Sequence, residues 1–408
     1  MKNVLIIGVT DQNNYKNIGI LATVTKLGYN IFVLKRPSTE YWFQEFIKPE
    51  NIICADLHDL SDTVSKIALF CKKNHIKFDA ILTFKEHLVI QASVIVQAFG
   101  CIHTPLKDIF NSSGNKLLFR EKYNQIEDDD IIKSNFNIIN TFDDLLSFSK
   151  DKVIKPIFGS SSCGVQKISA GTNIDGLKQF LSESIETKFK DGHERAFLIE
   201  DYIAGKAFSV DGIIQNGEIK FAGINEYTYG PLPYFIQTGN IIPTTLNEDE
   251  QGLCYKSVAK IIDHFGYNNC PFHAEIIIKD SKVYLIEIAC RMPGGKIPRG
   301  YELAYGFNFI EQVINLYLGK PVNFEQKTQC QVIQKGLHVF ENCKISSIDI
   351  PANVFKEIDF ELITKPGEYN SYPINNKPIY FYSVQTNNFE SAINKCKKIE
   401  KSICINKG

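Results

Sequence analysis

Over roughly the first hundred residues, short continuous apolar runs alternate with stretches whose apolar residues recur three and four positions apart. Val4–Val9, Asn30–Leu34, Ile52–Ala55 and Ala80–Phe84 are the runs, and the first has the unbroken apolar character of a parallel strand buried on both faces. Asn17–Leu27, Thr63–Cys71 and Leu88–Phe99 have helical spacing. Repeated strand–helix units predict an open parallel α/β sheet of the doubly wound type. Gly8 ends the first strand, but Val9-Thr10-Asp11-Gln12-Asn13 lacks the further glycines of a dinucleotide-binding turn, so this half is not read as a nicotinamide site.

Lys116–Tyr123 predicts a charged helix leading into Glu127-Asp128-Asp129-Asp130, an acidic run read as a solvated loop rather than a metal site. The pattern then turns to strands joined by glycines: Lys152–Pro156, Phe197–Tyr202, Phe208–Ile214, Glu218–Phe221, Phe272–Ile278 and Lys282–Ala289. From about Gln331, the runs Gly336–Phe340, Asp359–Ile363 and Ile379–Gln385, with an amphipathic helix near Phe389–Ile399, predict a small α+β tail. No internal repeat or low-complexity linker interrupts the chain.

Composition narrows the function classes. The 408 residues carry 45 Lys and Arg against 46 Asp and Glu, a net charge of −1, so neither a basic nucleic-acid binder nor a polybasic membrane binder is expected. Any bound anion must be held by a local constellation. The 11 cysteines form no Cys-x-x-Cys pair and no ligand-spaced cluster, which predicts free thiols in a reducing compartment rather than zinc or disulfides. The apolar run at Val4–Val9 is too short for a leader and no stretch approaches a membrane span, so a cytoplasmic protein is expected.

Three segments carry chemistry. In Lys155-Pro156-Ile157-Phe158-Gly159-Ser160-Ser161-Ser162-Cys163-Gly164-Val165, a strand delivers a lysine to a small-residue loop bounded by two glycines, able to close over phosphates or, equally, to be a plain hairpin turn with a surface lysine. Val165-Gln166 stands where a P-loop needs Lys-[Ser/Thr], so that motif is rejected. Phe197-Leu198-Ile199-Glu200-Asp201-Tyr202-Ile203-Ala204-Gly205 is a strand ending in polar groups and a glycine, able to offer its backbone to an adenine edge. Finally, His273-Ala274-Glu275 and Leu285-Ile286-Glu287-Ile288-Ala289-Cys290-Arg291 flank the turn Lys279-Asp280-Ser281-Lys282, and this hairpin can bring Glu275 beside Glu287. Two carboxylates in an apolar setting repel unless a cation lies between them, and Mg²⁺ suits such a pair because nucleotide phosphates complete its shell. The alternative, two ordinary outward-facing glutamates, is weakened by the apolar residues on both sides of Glu287. Arg291 and Gly294-Gly295 lie just beyond as an anion cradle.

In this order the segments resemble the ATP-grasp superfamily of carboxylate–amine ligases, and within it the L-amino-acid ligase branch that forms dipeptides. The resemblance extends to Asp79–Glu86 and, loosely, to a tail containing Lys365-Pro366-Gly367. It implies an ATP-grasp fold of mixed α/β and α+β character: a parallel-sheet front over residues 1–105, an ATP-grasp body over 106–330 with a lid at about 151–205, and a small α+β unit over 331–408. It also implies site roles. Lys116 and Lys155 match the ATP lysines, with Ser160, Ser161, Ser162 and Gly164 in the loop over the phosphates. Glu200 would accept from the adenine amino group, the backbone of Asp201, Tyr202 and Ile203 would pair with the ring edge, and Ile277 would pack on the base. Glu275 and Glu287 match the ligands of Mg²⁺, with Mn²⁺ an allowed substitute. Lys155 and Arg291 would be catalytic, while Glu86, His273, Gly294 and Gly295 match substrate-side positions.

The implied reaction converts a carboxylate to an acyl phosphate at the expense of ATP, then to an amide with an amine, releasing ADP and phosphate. The implied partners are a small-molecule carboxylate and amine, with a homodimer an allowed assembly. Aminoacylation of a carrier protein, natural-product tailoring, or a nucleotide-binding regulator without activity stand as alternatives. Two departures accompany the resemblance: Ala207 occupies the usual ribose-binding glutamate position, and Ala289 the position of a metal-binding asparagine that the amino-acid ligase branch often lacks. Cys163 invites a covalent role, but acyl phosphate chemistry requires no thiol and none is expected. His273 either orients substrate or is a packed, hydrogen-bonded histidine. The aromatic segment Asn225–Leu246 either lines an acyl-substrate pocket or covers the sheet.

Overall fold

The computed structural model describes residues 1–9, 15–38, 43, 45–102, 106–107, 114–139, 150–159, 162–188, 196–351, 358–374 and 376–408. Strands β1 (Asn3–Ile7), β2 (Asn30–Lys35), β3 (Ile52–Cys54) and β4 (Ala80–Thr83) form a parallel sheet in the order β3-β2-β1-β4. Helix α1 (Tyr15–Lys26) covers one face, and α2 (Leu60–Asn74) and α3 (Val89–Ala98) the other. Alternation explains the double burial: Leu5 and Ile7 pack toward α2 and α3, while Val4 and Ile6 join the core shared with the body of the protein. The chain passes from β1 outward to β3 and returns on the opposite side of β1 as β4. That reversal opens a crevice at the carboxyl ends of β1 and β4, the usual ligand position in such sheets. Glu86 leaves the sheet there.

A second sheet stands beyond α4 (Lys116–Tyr123), a helix capped by the Asn115 side chain. Strands β5 (Phe136–Ile139), β6 (Lys152–Pro156), β7 (Gln166–Ile168) and β8 (Phe197–Asp201) pair antiparallel in the order β5-β8-β6-β7. Leu177, Phe180 and Leu181 of α5 (Ile174–Lys188) pack on Ile154, Ile168, Phe197 and Ile199.

The central sheet contains β9 (Lys206–Gln215), β10 (Glu218–Tyr229), β11 (Gln237–Ile242), β12 (Cys270–Lys279) and β13 (Lys282–Ala289). Helix α6 (Glu248–Phe265) seals one face with Cys254, Val258, Ile261 and Phe265 against Phe208, Val210, Ala274 and Leu285. On the other face lie α7 (Ile297–Tyr305), α8 (Phe309–Tyr317) and the first sheet, all in one core with Tyr301, Phe309 and Val313. The site faces this second side.

The tail comprises β14 (Gln331–Leu337), β15 (Cys343–Asp349), β16 (Asp359–Leu362), β17 (Tyr369–Asn370), β18 (Tyr380–Thr386), α9 (Phe389–Ser402) and β19 (Cys404–Lys407). Its strands β14, β18 and β16 continue the central sheet, giving the order β13-β12-β9-β10-β11-β14-β18-β16. Strands β17, β15 and β19 make a separate three-stranded sheet. All eleven cysteines are free, and no helix among the described residues is long and apolar enough to cross a membrane.

Candidate active site

The hairpin of β12 and β13 sets the centre of the site. Lys279 pairs with Lys282 across a two-residue turn in which Asp280 and Ser281 have φ of 50° and 55°, the left-handed pair that such a tight hairpin turn requires. Ile276 pairs with Leu285, yet Glu275 pairs with Glu287, so Ile286 is an extra residue bulged from β13. Leu285 and Ile288 both enter the core under α6. Ile286 and Glu287 between them face the cleft, together with Glu275 and Ile277 of β12.

The two carboxylates differ in character. Burial opposes ionisation of Glu275, but hydrogen bonding to His273 and the charges of His273 and Arg291 hold its carboxyl below the usual range. Glu287 is raised, by burial and by the facing charges of Glu275 and Glu86, against Lys116 and Arg291. This pair therefore favours a cation. Among the described residues no group of three or more His, Cys, Asp or Glu side chains is arranged to hold a metal. Two carboxylates alone fit Mg²⁺, which takes its remaining ligands from phosphate and water.

His273 is a packed histidine, the second of the alternatives above. It is 3% exposed, with Nδ1 at 2.5 Å from Asp211 Oδ1 and Nε2 at 3.2 Å from Glu275 Oε1. Asp211 Oδ2 in turn accepts from Ser209 Oγ at 2.9 Å and the Tyr301 hydroxyl at 2.7 Å. Although burial disfavours the imidazolium, Asp211 and Glu275 push His273 up to about 9. The Tyr227 hydroxyl closes the group, 3.2 Å from His273 Nε2 and 3.4 Å from Glu275.

The lysines converge from two elements. The Lys116 amide at the start of α4 donates to Ile157 O, and its Nζ donates to Gly159 O at 2.5 Å while standing 3.7 Å from Glu287. Lys155 on β6 is buried and paired with Glu200 at 2.9 Å, so it is not a surface lysine on a turn. Burial pushes its ammonium down to about 8 against the pull of Glu200, and Arg120 adds to the depression.

Glu200 requires a correction. Its Oε1 accepts from Arg120 Nε at 3.0 Å and Lys155 Nζ at 2.9 Å, and its Oε2 from Arg120 Nη2 at 3.2 Å and the Tyr284 hydroxyl at 2.8 Å. Four donors fill a carboxylate, so none of its capacity remains for an adenine amino group. Against the penalty of burial, Arg120, Lys155 and Tyr284 hold its carboxyl down to about 2. It is an internal counter-ion. The Asp201 and Tyr202 amides are likewise engaged, donating to Asn135 O and Asp151 O, and the Asp201 carboxylate holds Lys152. Ile277 stands opposite Ala207 and beside Gly205, where an added Cβ would lie 2.5 Å from Ile277 Cγ2.

Arg291 pairs through Nε with Glu86, and its Nη1 donates to Met292 O at 3.0 Å. This contact ties the first sheet to the end of β13. Gly295 beyond it has φ of +56°, with open space where a Cβ would stand. Ser162 (φ 53°) and Gly164 (φ 71°) lie in the β6–β7 loop, and Ser160 and Ser161 lie outside the described residues. Cys163 Sγ points at Ser184 O of α5, 3.8 Å away. The aromatic segment divides: Tyr227, the partly exposed Tyr229 and Phe235 run along the cleft, whereas Tyr234 packs on Phe180 in the second sheet's core. In the acidic run, Asp128 and Asp130 pair with Lys260 and Lys256 of α6.

Comparison with known proteins bears on the fold and the class of enzyme. Residues 148–298 match the model of the ATP-grasp domain. The chain is 24% identical to alanine–anticapsin ligase of Bacillus subtilis over 366 residues, spanning 81% of this chain and 74% of that one. It is 26% identical to dapdiamide A synthase of Enterobacter agglomerans over 190 residues, 44% and 42% of the two chains. The L-amino acid ligase of Bacillus licheniformis superposes with a TM-score of 0.81 at 18% identity, covering 100% of this chain and 98% of that one. Residues 148–298 are thus an ATP-grasp domain, and the chain is similar over most of its length to ATP-grasp carboxylate–amine ligases. Its fold is shared more widely: phosphoribosylglycinamide synthetase of Anaerococcus prevotii superposes with a TM-score of 0.68 at 14% identity, over 99% of each chain. The ATP-grasp domain and the ligase relatives together support ATP-dependent amide formation.

Four site residues went unseen in the sequence: Arg120, Asp211, Tyr284 and Tyr301. A usable signal existed for two of them. Asp211 is an acid inside the apolar run Phe208–Ile214, and Arg120 follows Lys116 by one helical turn.

Proposed function

We propose that this ligase joins the carboxylate of an amino acid, or of a small acid of similar size, to the amine of a second amino acid. The observation that carries the reading is the Glu275–Glu287 pair faced by Lys116 and Arg291, with Lys155 near Lys116. The similarity to amino-acid ligases supports amino acids as the substrate class.

In the first step a substrate carboxylate oxygen attacks the γ-phosphorus of ATP, the bond to the β,γ-bridging oxygen breaks, and ADP leaves. In the second, the amine attacks the acyl carbon, phosphate departs, and the nitrogen loses a proton. Lys116 and Lys155 hold nucleotide phosphates, and Arg291 faces the transferring phosphoryl group; such transfer depends on positioning and charge compensation rather than on a protein nucleophile. Glu275 and Glu287 are the residues that would hold Mg²⁺, or Mn²⁺ in its place, which when bound offsets phosphate charge.

The main chain at Ile203 meets the adenine edge, and Ile277 packs against the base. Ser162 and Gly164 belong to the loop that covers the phosphates and excludes water from the acyl phosphate. Glu86, at the crevice of the first sheet, receives the substrate amine, and Gly294 and Gly295 approach the substrate with their backbone. His273 acts from behind Glu275. Ala207 leaves the ribose without the usual carboxylate contact. Free thiols and the use of ATP support action in the cytoplasm.

The test is ADP release over a panel of amino acid pairs with Mg²⁺, followed by product mass. Formation of a dipeptide with stoichiometric ADP supports the reading. ADP formation without amide, or none over a broad panel, contradicts it.

A further inference from the structure

Glu275 and Glu287 face one another only because β13 carries one extra residue. Carried on from the turn without a bulge, the register would set Ile286 opposite Glu275 and turn Glu287 into the core under α6, since a slip of one residue reverses every side chain. A bulge disrupts the local ladder and leaves backbone groups to be satisfied otherwise. Here the Arg120 guanidinium meets both carbonyls flanking it, Leu285 O at 2.8 Å from Nη1 and Ile286 O at 3.2 Å from Nη2.

The same guanidinium grips both oxygens of Glu200. Arg120 is completely buried and lies within about 5 Å of the ring centres of Phe119, Tyr123 and Tyr284. Arg120 and Lys155 together carry two positive charges against the single negative charge of Glu200. A buried surplus cation is costly unless an anion meets it.

We propose that Arg120 is a positioning residue for ligation: it fixes the bulge that presents Glu287, and by neutralising Glu200 it leaves the Lys155 ammonium as a surplus cation for nucleotide phosphates. The inference rests on the ATP-binding reading above.

ADP binding measured by calorimetry, together with the Mg²⁺ requirement, tests it. The groups facing Lys155 are Glu200 on β8 and Arg120 and Lys116 on α4. In the wild type, ADP affinity should fall as pH rises past about 8, where Lys155 loses its proton. Arg120→Gln should weaken ADP binding at pH 7 by about tenfold or more, the loss of one charged interaction. It should also move the alkaline fall to higher pH, because the repulsion of Lys155 by Arg120 is gone. Arg120→Lys keeps the charge without the fork, so it should bind ADP nearly as the wild type does but need several-fold more Mg²⁺ for turnover. Wild-type ADP affinity and an unmoved pH profile in Arg120→Gln overturn the proposal. If that variant does not fold, an unchanged Mg²⁺ requirement in Arg120→Lys overturns it. Failure of the wild type to bind ADP contradicts instead the ATP reading on which the inference stands.

Discussion

Glu86 and Arg291, 205 residues apart in the chain, form an ion pair that joins the switch crevice of the first sheet to the end of the carboxylate hairpin. The parallel sheet thereby contributes a side chain to the proposed active site and is not merely a support. Glu86→Gln should lower kcat/KM for the amine substrate by one to two decades, the value of a hydrogen bond to a charged group, about 1.5–3 kcal/mol. KM for ATP should change little. Steady-state kinetics varying each substrate in turn check this, and an equal rise in both KM values would count against it.

Replacement of the two facing glutamates should have opposite effects on the empty protein. Glu287→Ala removes a carboxylate that burial and Glu275 already disfavour, so the urea midpoint without metal should stay or rise. Glu275→Ala deprives His273 of one carboxylate partner and should lower the unfolding free energy by about 1–3 kcal/mol, seen as a lower urea midpoint. Both variants should lose turnover and the stabilisation that Mg²⁺ with ADP gives the wild type. Retained turnover in either would refute the assignment of the pair.

The Asp211–His273 contact makes stability depend on pH. His273 is raised from 6.5 to about 9, so its contribution is fully present below about pH 6.5 and is lost as pH rises through about 9. The gap in urea midpoint between wild type and His273→Gln should accordingly be wide at pH 6 and narrow at pH 10. A gap independent of pH would exclude this contact as its source.

Most strands and helices of the first sheet were legible because they bury continuous or periodic apolar faces. Lys116–Tyr123 matches the expected helix residue for residue. The 18-residue helix Glu248–Phe265 was not foreseen, although Asn247, Glu250 and Gly266 mark both its ends with a capping box and a left-handed cap. Its apolar face is diluted by charges.

The Glu275–Glu287 pairing was legible only as a hairpin. The bulge that completes it depends on Arg120, 165 residues from Leu285, and no local pattern encodes such a contact. Glu200 misled for a related reason. Its motif describes a strand end beside a nucleotide, but the carboxylate is claimed by Arg120, Lys155 and Tyr284 from three other elements. The tail's strands likewise gave no sign of the sheet they would extend, because pairing partners in an antiparallel sheet are set by tertiary packing.

The acyl phosphate is the central claim, and labelled oxygen tests it most directly. Ligation would be run with ATP, Mg²⁺ and an amino acid whose carboxylate carries oxygen-18, and the released phosphate examined by mass spectrometry. Transfer of the carboxylate oxygen to γ-phosphorus predicts one labelled oxygen in each phosphate formed from fully labelled acid. Unlabelled phosphate accompanying amide formation would contradict activation through an acyl phosphate.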